Sequence, residues 1–361
     1  MLDKFKRKKR ILISGEFSAA TTGFGVYSKN LIDRLYKSNK YEIAEFASFV
    51  GINDPRDFTI KHRFYANEPS QNDEFAKQQY NSNEANKTGA WKFDKVLLDF
   101  NPDYILECRD TTMIQYQMLS PLRKFFSWII SPACDSDSQI NDWLSLHLNA
   151  DKVLTYTQYA YDLLKKEGGN KIKLFKPAYP GADFDVFKPI QNKQGLRNFF
   201  GISQDATIFM MSGRNQVRKL FPNLMVAFKT YLNKIKSIDD FTYKNSLLYL
   251  HTTLPDIRTY NIPKLLVTLG IENRVLFTYN CIKCGKFFPN RWQSVITNCR
   301  FCNGEAILPR VNFNIPPEAL NQVYNLSDVY IQYANRGALE LPLVEAAAAG
   351  CNIMAVDYAG T

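Results

Sequence analysis

Residues 207–235 read TIFMMSGRNQVRKLFPNLMVAFKTYLNKI. Residues 207–212 form a short apolar run suited to a buried strand, Gly213 permits a sharp exit, and residues 222–235 carry apolar side chains at helical spacing. That is one β/α unit: strand, glycine, basic loop, helix. Working outward, the same alternation predicts strand 246–251, helix 262–269, strand 274–278, helix 317–325, strand 329–333, helix 341–349 and strand 352–356. Upstream it predicts a strand at 11–14, a loop rich in Gly, Ser and Thr over 15–25, helix 26–36 and strand 41–50. It resumes with helix 91–100, strands 104–107 and 126–131, helix 138–148, strand 152–156 and helix 158–166. Repeated alternation of this kind implies parallel, doubly wound sheets, the α/β class. Residues 51–90 are polar, with Asn and Gln dense between positions 67 and 86, and read as a long excursion or partly mobile loop rather than a linker between domains.

Between the two runs lies KPAYPGADFDVFKP, residues 176–189, where three prolines and a glycine interrupt both periods. A hinge placed there gives an N-terminal domain over 1–176 and a C-terminal domain over 177–361, a two-lobed enzyme with a cleft. The length of 361 residues agrees with two domains at about 150 residues each. Apolar residues at 45% and charged residues at 22% exclude disordered, collagen-like and coiled-coil chains. The sequence stops just after a predicted strand with no final helices, so a truncated C-terminus is expected.

Lys and Arg number 45 against 35 Asp and Glu, a net charge of +10 that favours an anionic partner. Part of the excess is the opening run Lys4, Lys6, Arg7, Lys8, Lys9 and Arg10. The apolar stretch after it is too short for a signal-peptide core, and no window reaches the ~18 apolar residues of a membrane span. A cytoplasmic protein is expected, with peripheral contact to a membrane surface through the basic N-terminus.

Seven cysteines in a chain without an export signal point to metal rather than disulfides. Cys281-x-x-Cys284 and Cys299-x-x-Cys302, with glycine at 285 and 304, have the spacing of two hairpin knuckles around one tetrahedral ion. Four thiolates leave no open position, so a structural zinc is expected in an insert over 280–309. Cys108, Cys134 and Cys351 read as small core residues.

Three further segments carry chemistry. Gly213, Arg214 and Lys219 lie between a strand and a helix, at the sheet edge where α/β proteins bind ligands, and two cations there suit a diphosphate. Thr21-Thr-Gly23-Phe-Gly25 follows the first strand and could bring backbone amides to a substrate. Glu340, Leu341 and Glu345 open a helix, with Glu345 placed to accept hydrogen bonds from a ribose diol and Glu340 to cap free amides or reach a sugar.

Read together, PGADFDVFKP, SGRNQVRKLFPNLMVAF and LSDVYIQYANRGALELPLVEAAAAGCNIMAVDYAGT resemble segments of the GT-B glycosyltransferases, specifically the large retaining family 4 called glycosyl transferases group 1. TTGFGVYSKNL and NPDYILE echo that family's acceptor-side domain. The resemblance implies two Rossmann-like domains, Arg214 and Lys219 on the donor diphosphate, and Glu345 on the ribose of a nucleotide sugar. Arg214, Lys219 and Glu345 would then be the catalytic set, and Gly213, Glu340 and Leu341 would line the donor site. On the acceptor side it points to Gly23, Gly25 and Asp135. Two departures stand out: the family's first glutamate, eight residues before Glu345, is Gly337 here, and a histidine common before the hinge glycine is Pro180. His147 falls on a predicted helix and reads as structural.

The function expected is transfer of a hexose from a nucleotide-diphosphate sugar to a hydroxyl of a carbohydrate, lipid or protein, with retention and without a catalytic metal. The rival is a non-catalytic degenerate GT-B protein, or a nucleic-acid binder using the ribbon, where Lys283, Lys286, Arg291 and Arg300 surround Phe287 and Trp292. Nucleic acid is the less favoured partner, because the ribbon interrupts a β/α domain instead of forming its own module.

Overall fold

The computed structural model describes residues 7–54, 56, 60–254, 256, 259–310 and 313–360. Lys4 and Lys6 of the basic run, and Thr361, lie outside the described residues. The backbone falls into two compact units, one reaching Pro180 and the other running from Gly181 to Ala359.

The first unit is built on β1 (Lys9–Glu16), β2 (Tyr41–Ser48), β3 (Arg63–Ala66), β4 (Tyr104–Glu107), β5 (Ser127–Ile130) and β6 (Lys152–Val153). They form a parallel sheet in the order β3-β2-β1-β4-β5-β6, the doubly wound arrangement whose strand order reverses between β1 and β4. Residues 11–15 of β1 are buried without alternation, as expected of a strand covered on both faces. The helix Gly23–Ser38 follows, capped by Thr22, whose hydroxyl accepts from the Gly25 amide at 3.1 Å.

The polar stretch 51–90 is not the unstructured excursion its composition suggests. It holds β3 and the helices Glu74–Asn81 and Glu84–Lys87, capped by the Asp73 and Asn83 side chains. The strand expected over 152–156 pairs only through Lys152–Val153, and the helix expected over 138–148 runs from Asn141 to Asn149.

The second unit repeats the plan with β7 (Thr207–Gly213), β8 (Ser246–Thr252), β9 (Val275–Cys281), β13 (Val329–Gln332) and β14 (Asn352–Ala355), all parallel. Three antiparallel strands, β10 (Phe287–Arg291), β11 (Ile296–Asn298) and β12 (Glu305–Ile307), extend from β9. Cys281 is both the last residue of β9 and the first knuckle cysteine, so the insert grows out of the sheet rather than hanging from a loop. The helices Lys193–Phe200 and Asp240–Asn245 were not anticipated from the sequence. Among the described residues no helix is long and apolar enough to cross a membrane.

Candidate functional site

At the carboxyl end of β7 the chain turns through a basic loop. Gly213 has φ +153°, a value L side chains rarely adopt, and Lys219 Cε lies 3.8 Å from where its Cβ would sit. The turn Val217–Lys219 and a left-handed Leu220 then lead into the helix Phe221–Ile235, with proline in its first turn.

Each cation of this loop meets a carboxylate. Arg214 donates Nε and Nη2 to the two oxygens of Asp256 at 2.9 and 2.6 Å, and Thr253 donates to Asp256 Oδ2 at 2.7 Å. Lys219, only 4% exposed, is ion-paired with Glu340, and Arg218 Nη1 approaches the other Glu340 oxygen at 3.4 Å. Burial pulls the Lys219 ammonium below the usual lysine range, and the Glu340 charge opposes that shift. Asp256, in the loop after β8 at the same sheet edge, was missed in the sequence. A carboxylate following a strand at this edge was the signal available.

The loop after β13 lies against the first. The Asn335 amide donates to Arg218 O at 3.0 Å, and Arg218 Nη1 to Arg336 O at 3.3 Å. The helix Leu341–Ala348 begins immediately afterwards, with Leu341 as its first residue. Glu340 stands just before it but caps none of its amides, contrary to the capping role considered above, because Lys219 holds its carboxylate. Glu345, fifth in the helix, is buried against the helix Pro317–Leu326, where Tyr324 Oη donates to its Oε2 at 2.9 Å. Burial pushes the Glu345 carboxyl up to about 7, with the tyrosine hydroxyl opposing. Two buried polar atoms at the same sheet edge, Thr252 Oγ1 ending β8 and Gln332 Nε2 ending β13, have no hydrogen-bond partner among the described residues.

The four cysteines converge. Their sulfurs all lie within 4.8 Å of one another, with Cys281 to Cys302 at 3.5 Å and Cys284 to Cys299 at 3.8 Å. Metal–sulfur bonds of about 2.3 Å in a tetrahedron require sulfurs about 3.8 Å apart, so the spacing fits one ion and is far too long for disulfides. The Cys284 amide donates to Cys281 Sγ and the Phe301 amide to Cys299 Sγ, each at 3.4 Å, and Gly285 takes the left-handed turn at φ +68°. The ribbon packs on its own unit: Arg300 donates to Phe200 O at 2.8 Å, and Phe301 stacks on Phe199 with centroids 5.6 Å apart. Phe287, considered above for base stacking, is buried, and Trp292 packs edge-on against Phe277.

In the first unit Gly25 has a packing reason: a Cβ there would meet Ala20 O at 2.6 Å and Phe17 O at 2.8 Å. Its amide is already bound to Thr22, which removes it as a donor to substrate, whereas Gly23 faces open space. Asp135 is half-buried in the stretch after β5. Cys108, Cys134 and Cys351 are buried. His147 is fully buried and held down to about 4 by burial, a neutral core imidazole.

No protein-family profile matches the chain, and no curated protein sequence matches it. Solved structures do. The fold is GT-B, with two parallel α/β units in succession. Sucrose-phosphate synthase from Thermosynechococcus elongatus superposes with a TM-score of 0.69 at 16% identity, over 98% of this chain and 82% of that one. A glycosyltransferase from Rickettsia africae gives 0.64 at 12% identity over 99% and 81%. Anabaena HepE, solved with UDP and glucose, gives 0.64 at 14% identity over 98% and 82%.

Proposed function

We propose that this protein is a glycosyltransferase that moves a hexose, with retention, from a nucleotide-diphosphate sugar to an acceptor hydroxyl. The observation that carries the reading is the basic loop at the carboxyl edge of the second sheet, where Lys219 and Arg218 meet Glu340 just before the helix that carries Glu345, and Arg214 is held by Asp256. A diphosphate seated there meets the Lys219 point charge and the Arg214 guanidinium, whose Nε and Nη2 rest on Asp256, and the two cations stabilise negative charge as the leaving nucleotide departs. Glu345 receives the ribose hydroxyls, and Thr252 Oγ1 and Gln332 Nε2 offer buried polar atoms without a partner among the described residues. Uridine is the base to try first, since HepE was solved with UDP and the trehalose-6-phosphate protein from E. coli with UDP-2-fluoro glucose. The donor site belongs to residues 177–361, and acceptor recognition to residues 1–176 around Gly23 and Asp135.

For the four cysteines we propose zinc, which holds the ribbon folded; with all four positions filled by sulfur it takes no part in the transfer. The nucleic-acid alternative is disfavoured by the ribbon's own contacts. Its Phe287 is buried and so closed to base stacking, and the exposed Lys286 and Arg300 lie over the Phe301 ring at 5.3 and 5.5 Å.

The test is a thermal-shift panel of UDP-, GDP- and ADP-sugars, because a ligand that binds only the folded state raises the melting temperature. One nucleotide series should shift it, and Lys219→Ala should abolish the shift. No response from any nucleotide sugar would refute the reading.

A further inference from the structure

Glu340 fills the space of a side chain that position 337 lacks. A Cβ built on Gly337 would lie 2.4 Å from Glu340 Oε1 and 3.1 Å from Cδ, so the carboxylate rests directly over the Gly337 α carbon. From there it reaches Lys219 and Arg218, and it is only 6% exposed. The ammonium that suits a diphosphate is therefore already neutralised by a residue of the chain itself. A diphosphate and Glu340 cannot share Lys219 without placing like charges against each other in a poorly solvated site.

We propose that Glu340 is a resident competitor for the anion site. Its carboxylate holds Lys219 and Arg218 while no donor is bound, and it is displaced when a diphosphate arrives. This rests on the assignment of Lys219 to the diphosphate. The displaced carboxylate must find new hydrogen-bond donors. The hydroxyls of a hexose supply them, and a bare nucleoside diphosphate does not. Glu340 thereby discriminates donor from product: a nucleotide sugar compensates the exchange, and the nucleotide left after transfer is expelled as Glu340 returns to Lys219. Gly337 is the partner in this device, since only a residue without a side chain leaves the resting position open.

The experiment is calorimetric titration with inorganic pyrophosphate, which has neither base nor sugar, alongside the nucleotide sugar selected by the thermal-shift panel. Glu340→Gln keeps the size and removes the charge. Gly337→Ala keeps every charge but forces the carboxylate off its seat. Both variants should bind pyrophosphate more tightly than the parent, on the order of tenfold, while affinity for the nucleotide sugar gains less or falls. Unchanged or weaker pyrophosphate binding in both variants, with Lys219→Ala still abolishing it, would overturn the competitor role and leave the donor site standing. Pyrophosphate binding that survives Lys219→Ala would overturn the site assignment, and the inference with it.

Discussion

Arg109 is completely buried in the first unit and is satisfied on every side. Its Nε donates to Glu107 at 2.5 Å, its Nη1 to Ser48 at 2.6 Å and Thr88 O at 2.5 Å, and the two hydrogens of Nη2 are shared among Glu107, Ser14 and Tyr116, each at 2.9 Å. Ser14 lies on β1, Ser48 ends β2 and Glu107 ends β4, so one guanidinium ties three strand ends on either side of the point where the strand order reverses. Arg109→Ala leaves a buried, uncompensated Glu107, and should destabilise the unit by about 3–5 kcal/mol in urea unfolding; replacing both residues with apolar ones should cost much less. Nothing in Glu107-Cys-Arg109 revealed this, because burial of a charge is decided by partners from distant segments. Glu345 was legible by position but not by environment. Its carboxyl stands near 7 against an ordinary 4.5. Its contribution to stability is therefore full below about pH 4.5 and is lost as pH rises through 7. Ribose hydroxyls are best received by the ionised form, so affinity for the nucleotide sugar should rise between about pH 6 and 8, and Glu345→Gln should flatten that rise in titrations across the range.

At the level of elements, the apolar strands inside the sheets announced themselves. Residues 104–107 were read to the residue, and β7, β8 and β13 nearly so, because parallel strands covered on both faces are continuous apolar runs. Short polar elements did not. The segment Arg63–Ala66 is a four-residue edge strand, and Glu74–Asn81 is signalled mainly by its Asp73 cap, so neither leaves a periodic trace. The ribbon was read from cysteine spacing alone, and its merger with β9 could not be. That merger has a measurable effect. Purified protein should carry about one zinc per chain by elemental analysis, lost in Cys284→Ser with Cys299→Ser. Chelation should raise amide exchange first in the ribbon strands and in the helix Lys193–Phe200, which Arg300 and Phe301 hold, and later in β7 and β8.

For the whole molecule, two units with separate cores and separate buried polar groups imply two unfolding events. Scanning calorimetry should resolve them. Arg109→Ala should lower only one transition, and the nucleotide sugar should raise only the other, because the basic loop, Glu340 and Glu345 all belong to residues 181–359. A single transition moved equally by both would show that the units melt as one.

The placement of Cys281 at the end of β9 also makes the ribbon an optical probe. Cobalt held tetrahedrally by four thiolates absorbs visible light strongly and loses most of that intensity when the sulfurs let go, and one of those sulfurs is carried by a strand that pairs directly with β8. Loaded with cobalt, the protein would change colour as its second half comes apart and stay unchanged while the first half does, so a spectrophotometer could time the folding of one Rossmann-like unit inside the intact chain.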